Sequence, residues 1–366
     1  MSGSVSRLEK RYRLLLLSYP RAYRRERGKE IVDTLADLAP PGRTRPTVRE
    51  AFDLIRHGLR ARLGRPASRS VVVWAVLTAI VWALFSAAMA SRLAWETARP
   101  LPSVARASAV FATVAPGRKV SDVQRSPATF VMYGQPLSRQ DLGELIFPDG
   151  GEYTFGSTTG SMGGASDVDL HRFAEDAVRR LHATGWDVGR PYTQVLDTCG
   201  SDDCGGPTES ETYLTARRGD DVITIYIEYG GMITPPVSIS IERATPWPVY
   251  PASVAGGAVG AVIAWFVFGW ASRRTDGRHP ALRVLTALLL GISLFLWWLP
   301  IPFSSWSLLR HQLTEPHYKW HPLWEWLGQP ALALFFLVGC VAALTGLAVA
   351  ALPRRRPDPS MDVATG

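Results

Sequence analysis

The stretch VVVWAVLTAIVWALFSAAMA, residues 71–90, runs for twenty positions without a charge. At about 1.5 Å per helical residue it matches a bilayer hydrocarbon core of about 30 Å. Three further stretches share the property: ASVAGGAVGAVIAWFVFGWA at 252–271, ALRVLTALLLGISLFLWWLP at 281–300 with Arg283 at its edge, and PALALFFLVGCVAALTGLAVAAL at 330–352. A soluble protein can bury one such helix, whereas four with sharp charged borders call for lipid. A mean hydropathy near zero hides this segregation.

The arginines orient the spans. Residues 1–70 carry 17 Lys+Arg against 7 Asp+Glu, the hairpin after the second span holds Arg273, Arg274, Arg278 and Arg283, and Arg354–Arg356 follow the fourth. The long segment 92–251 carries 14 basic and 20 acidic residues. The basic segments fall on one side, so the overall net charge of +8 reads as a topology signal and not as a nucleic-acid footprint. Both termini are expected in the cytoplasm, with Trp247, Tyr250, Trp297, Trp298 and Trp306 at the outer borders. The AMA at Ala88–Ala90 resembles a signal-peptidase site, but a net-basic segment of seventy residues precedes the apolar run, which favours a signal anchor.

This reading gives a membrane α-helical fold class with four transmembrane helices, a cytoplasmic three-helix head and an extracytoplasmic α+β domain. The expected boundaries are a head at 1–68, helices at 70–91, 252–272, 281–300 and 330–352, and a linker or stalk at 92–128 with a candidate helix around Ala105–Val114. An α+β domain at 129–246, an outer Trp/His-rich loop at 301–329 and a cytoplasmic tail at 353–366 complete the chain.

Cys199 and Cys204 sit in LDTCGSDDCGGP, on the expected outer side, where thiols oxidise. Metal ligation and redox pairing are the alternatives, but four zinc ligands are not gathered nearby and the spacing is not C-x-x-C. A disulfide closing this short loop is expected, contributing about 2 kcal/mol by chain entropy. Asp202 and Asp203 read as a solvated acidic turn, and Cys340, inside the fourth span, as a packing residue.

In the head, Leu8, Tyr12, Leu15 and Tyr19 fall at helical spacing up to Pro20. Tyr23, Ile31, Leu35 and Leu38 follow, and a third helix opens at Thr47 with Glu50 in capping-box position and continues through Ala51, Phe52, Ile55, Leu59 and Leu63. Arg21, Arg24, Arg25 and Arg27 suit anionic lipid or a plain positive-inside flank. The segments RYRLLLLSYPRAYRRERGKEIVDTLADL and REAFDLIRHGLRARLG, within residues 7–64, resemble the bacterial permease prefix domain and the helical signalling domain paired with PadR-type regulators. That resemblance implies a docking module beside a membrane span, with a regulator or transporter subunit as its cytoplasmic partner. The chain is short for a duplicated permease core and has no G-x-x-x-x-G-K-[ST] motif. Its 36 Arg against 4 Lys resemble the composition of actinobacterial multi-pass membrane proteins, which places it in a bacterial plasma membrane.

In segment 129–246, DLHRFAEDAVRRLHATGW puts Leu170, Phe173, Ala174, Ala177, Val178 and Leu181 on one stripe, and Gly185 ends the pattern. YTQVLDT, the two halves of ETYLTARRGDDVITIYIEYG, and VSISIERA alternate as strands, with an earlier candidate in ATFVMYG. One helix over an antiparallel sheet is expected, and GSTTGSMGG reads as a flexible glycine-rich loop. His171 and His182, close to Asp167, Asp169, Glu175 and Asp176, invite an acid/base or metal reading, yet no nucleophile motif accompanies them and surface positions are expected. His311, His317 and His321 in RHQLTEPHYKWHPLWEW suggest a copper, zinc or pH-sensitive cluster, but Pro316 and Pro322 break the helix that would align them.

Gly256, Gly260 and Ala264 suit close helix packing, and no Asp, Glu, Lys or His lies centrally in a span, which weighs against an ion path. The function expected is that of a non-enzymatic sensor or regulatory partner, with no catalytic, cofactor or metal residues. Its partners are the lipid bilayer and a cytoplasmic protein at the head, with no nucleic acid. An accessory, permease-like transport component and an outer-surface membrane enzyme are the alternatives.

Overall fold

The computed structural model describes residues 2–40, 42–64, 68–126, 130–132, 135–136, 151–153, 156–162, 169–196, 209–229, 237–314 and 333–353. The chain divides into two compact units, Met1–Ala83 with Val259–Trp297 and Val338–Gly366, and Leu84–Ala258 with Trp298–Leu337.

Four helices are long and apolar enough to cross a membrane: Arg69–Trp95, Val249–Thr275, Pro280–Pro302 and Leu334–Ala351. They correspond to α4 (Arg69–Trp95), α7 (Val249–Thr275), α8 (Pro280–Trp298) and α10 (Ala333–Ala351). Between the last two, α9 (Pro300–Thr314) is helical where a loop was expected from residue 301. Pro300 opens it, and proline is tolerated in a first turn because the N–H it lacks has no partner there. α4 passes through Ala88–Ala90 unbroken.

The head consists of α1 (Ser2–Leu15), a 3-10 turn at Leu16–Ser18, α2 (Arg21–Asp37) and α3 (Val48–Arg62). Leu8, Tyr12, Leu16, Tyr19 and Val32 form its core. The expected capping box is present at α3: the Thr47 side chain accepts from the Glu50 amide, and the Glu50 carboxylate accepts from the Thr47 amide. Glu50 also accepts from both Arg43 guanidinium nitrogens, at 3.0 and 2.6 Å, and from the Tyr12 hydroxyl at 2.9 Å. One carboxylate thus ties α1, the 38–47 connection and α3 together. Burial pushes the Glu50 pKa up, but the bonds from Arg43, the Thr47 amide and Tyr12 outweigh it and hold it below the ordinary carboxylate value. A depressed folded pKa means stability present above the unfolded value and lost as pH falls through the folded one. The head is therefore expected to lose stability below about pH 4.5, and Glu50→Gln to flatten that acid limb in melts followed against pH.

Of the third-helix stripe, Phe52 and Ile55 are exposed together with Val48, while Leu63 is fully buried. The apolar periodicity of α3 is real, but one part of it faces away from the head core.

The second unit holds a seven-stranded antiparallel sheet ordered β1-β5-β10-β9-β8-β6, with β7 also paired to β8. The strands are β1 (Val120–Ser126), β5 (Ser157–Met162), β6 (Asp187–Val188), β7 (Tyr192–Leu196), β8 (Glu209–Arg218), β9 (Asp221–Tyr229) and β10 (Val237–Arg243). A smaller sheet joins β2 (Phe130–Met132) to β3 (Gln135–Pro136) and β4 (Gly151–Tyr153). Ile223, Ile225, Ile227, Val237, Ile239 and Ile241 alternate onto one face, where Phe173, Ala177 and Leu181 of α6 (Leu170–Ala183) cover them.

Two readings are corrected here. The helix expected around Ala105–Val114 is present as α5 (Val104–Val114), but the segment is no stalk: Ala107, Phe111 and Val114 are fully buried in the same core, and β1 follows at the sheet edge. The glycine-rich stretch expected as a flexible loop contains β5, paired on both sides. Its Gly160 lies under Phe111, and a Cβ there would come within 3.0 Å of the ring and 2.7 Å of Val120 Cγ1. Glycine in this strand marks close approach, not freedom.

Candidate functional site

Two clusters of polar contacts lie at the ends of the membrane-length helices. At the head end, Arg62, the last residue of α3, donates from Nε to the Ser18 carbonyl at 2.5 Å and from Nη2 to the Leu17 and Tyr19 carbonyls at 2.6 and 3.1 Å. These carbonyls leave the 3-10 turn without helical partners, and a guanidinium fork satisfies several at once. The same guanidinium carbon sits 4.8 Å from the Phe266 ring centre on α7. Trp265 donates its indole N–H to the Leu59 carbonyl at 3.2 Å. Gly269 permits the contact, because a Cβ there would lie 2.8 Å from the Arg62 carbonyl oxygen. The head is thereby pinned to α7.

Close by, Arg278 donates to the Val349 carbonyl at 3.1 Å and to that of Leu352, and Arg274 to that of Ala351 at 3.4 Å. The turn between α7 and α8 and the end of α10 therefore meet at the head end.

The other ends of α4 and α7 meet a second clamp. Asp221 opens β9 and pairs with Arg243 at the end of β10 in the sheet register. Arg243 forms an ion pair with Asp221 and donates to the carbonyl of Pro100, five residues beyond α4. Side-chain exposure is 10% for Arg243 and 12% for Asp221, so this is a buried pair. Arg106 of α5 adds a second contact to Asp221 at 3.4 Å. Burial lowers the Arg243 pKa, as do the neighbouring arginines, while Asp220 opposes them. Six residues after Arg243, α7 begins. Next to this clamp, Gly256 of α7 packs on Ser86 and Ala90 of α4, with no room for a Cβ, as the small-residue stripe suggested.

Comparison with protein-family models, with curated proteins and with solved structures finds no match. Function is therefore argued from geometry.

The sheet face opposite the helices is polar. Glu211 accepts from the Tyr226 hydroxyl at 2.8 Å and the Tyr213 hydroxyl at 3.0 Å, and buried Glu228 lies 3.3 Å from the Tyr226 oxygen. Burial, then Glu211 and Glu228, raise the Tyr226 pKa, so the phenol stays protonated. Sequence reading missed this group, although Glu211/Tyr213 and Tyr226/Glu228 are spaced by two and must share a strand face.

Among the described residues no three His, Cys, Asp or Glu gather to hold a metal. Asp169 caps α6, accepting from the Arg172 amide at 3.1 Å, and His171 stacks on Tyr229 with ring centres 4.5 Å apart. Asp176 pairs with Arg179 and Arg180. Eleven residues along a helix separate His171 and His182 by about 16 Å, too far to share one ion. Asp167, Cys199, Asp202, Asp203, Cys204, His317 and His321 lie outside the described residues, and His311 falls within α9. Trp247, Tyr250 and Trp306 are exposed. Trp297 is not: it is buried, edge-on to Trp82 and against Gly339.

A cavity of about 650 Å³ opens among α4, α7, α8 and α10, lined by residues including Trp74, Trp82, Phe268, Leu290, Trp297 and Cys340. The hydroxyls of Thr78, Thr275, Thr286 and Ser293 donate to carbonyls of their own helices, which leaves the lining largely apolar, with Arg283 and Ser272 as its remaining polar members. Most of this surface suits hydrocarbon.

Proposed function

We propose that this chain is a non-enzymatic sensor or regulatory protein of the bacterial plasma membrane, linking an extracytoplasmic sheet domain to a cytoplasmic head that docks a protein partner. Both termini lie in the cytoplasm, and Cys199 and Cys204 form a disulfide on the outer side. The observation that carries the reading is α7. It is one unbroken helix that begins six residues after the Asp221–Arg243 pair and, near its other end, holds the head through Trp265 and Phe266. A displacement of β10 has a continuous helical path to the head. The exposed Val48, Phe52 and Ile55 on α3 give the head an apolar stripe for a partner.

A transport accessory role is the second reading, favoured by the apolar cavity among the four helices. Affinity purification of the full chain from its host separates them. The regulatory reading expects a soluble regulator that is retained by the intact chain and lost when residues 1–66 are removed. Retention of an ATP-hydrolysing subunit instead would contradict it. Reporter fusions at residues 150, 276 and 366 are expected outside, inside and inside, and an inside signal at 150 would overturn both the orientation and the disulfide.

A further inference from the structure

Arg62 donates to three carbonyls at the 3-10 turn and its Tyr19 cap, yet among the described residues it forms no ion pair with an acid. Burial first, and then Arg24, Arg273 and Arg21, lower its pKa, so the charges acting on it are all arginines. The geometry agrees. The Arg273 side chain runs against Gly64, its Nη1 lies 3.4 Å from the Cβ position of Gly269, and that same position is 2.8 Å from the Arg62 carbonyl. Arg24 has its Nε buried and without a hydrogen-bond partner.

The first turn of α2 adds to this charge. Pro20 precedes it without a side-chain cap, and no acidic residue stands in the turn, although Arg21 and Arg24 do. A helix N-terminus presents unpaired N–H groups and a partial positive charge, where acids are favoured and arginines are not. Among the described residues none of Arg21, Arg24, Arg62 and Arg273 forms an ion pair, and the Arg62 fork on the Tyr19 carbonyl stands two residues before α2 begins, so these like charges and the helix N-terminus repel one another unless an anion joins them.

We infer that Arg21, Arg24, Arg62 and Arg273 form a binding site for a phosphoryl group, supplied by the headgroup of an anionic phospholipid. The lipid source follows from position: Arg273 stands in the last turn of the membrane-length α7, and Arg62 stacks on Phe266 of the same helix. Arginine forks match the planar oxygen pairs of phosphate, and an ion bound there would neutralise the junction between the head and α7. This inference rests on the membrane placement of α7 and is independent of the regulatory role.

The test uses the full chain in nanodiscs of phosphatidylcholine, with and without phosphatidylglycerol, and with inorganic phosphate added to phosphatidylcholine discs. Lipid retention is read by native mass spectrometry and head stability by hydrogen exchange. Wild type is expected to retain phosphatidylglycerol preferentially and to gain protection at Leu16–Tyr19. Arg24→Gln and Arg273→Gln should each weaken that preference roughly tenfold. Arg25→Gln, an equal charge change on an exposed side chain, should not. Equal losses in all three variants, or none in any, would overturn the site. Stabilisation by inorganic phosphate alone, lost in Arg24→Gln, would overturn the lipid source. Neither result touches the reporter topology or the partner capture.

Discussion

Arg243→Gln is expected to destabilise the sheet domain by about 3–5 kcal/mol, the usual cost of removing one partner from a buried ion pair. The substitution leaves the Asp221 carboxylate at 12% exposure with only the longer contact from Arg106, whose own side chain is 62% exposed. It also removes the donor to the Pro100 carbonyl. Hydrogen exchange of the β9 and β10 amides in the full chain reads the change, because these central strands open with the domain. The double variant Arg243→Gln/Asp221→Asn should recover part of the loss, since no uncompensated charge then remains. By contrast the Arg99–Asp220 pair at 3.0 Å is 78% and 51% exposed, and Arg99→Ala should change stability by less than about 0.5 kcal/mol.

Arg62→Ala is the second large effect. Hydrogen bonds from a charged donor contribute about 1.5–3 kcal/mol each in favourable cases, and three carbonyls lose theirs together. Because water reaches this half-buried site and replaces part of the loss, a net cost of about 2–3 kcal/mol to head docking is expected. Arg62→Lys should fall in between, since an ammonium keeps the charge but cannot span three acceptors as a fork does. Faster exchange and proteolytic cutting between residues 16 and 19 are the readouts. Unchanged protection there would remove Arg62 from its proposed place in the head–α7 junction.

Local signals in the sequence proved sufficient wherever the element stabilises itself locally. Twenty apolar residues define a span without reference to anything else, and Thr47 with Glu50 defines a helix start. The stripe of α6 and the alternation of β8, β9 and β10 were equally legible, down to the Gly219–Asp220 turn. What escaped depended on distant partners. The helix of α5 was legible around Ala105–Val114, but its place in the core was not, because Pro, Ser and Arg flank it and only Phe111 over Gly160 shows what it covers. β5 reads as a loop because its glycine is needed by a helix some fifty residues earlier. α9 was hidden by its prolines, which open the helix instead of breaking it. Both clamps join residues far apart in sequence: Arg62 to Leu17, Arg243 to Pro100. Guanidinium groups are so abundant in this chain that composition does not single out the two that matter.

The proposal that the sheet domain and the head communicate along α7 is tested most directly by hydrogen exchange at one end after perturbation at the other. Full-length protein in nanodiscs would carry Arg243→Gln, which breaks the clamp, or Leu181→Ala, which opens a cavity in the fully buried core under α6 at a comparable cost of about 2–5 kcal/mol. The account predicts exchange at least several-fold faster at head amides Leu16–Tyr19 and Leu59–Leu63 in Arg243→Gln, with Leu181→Ala at the wild-type rate there. Head amides that exchange alike in wild type and Arg243→Gln, or that quicken equally in both variants, would contradict it.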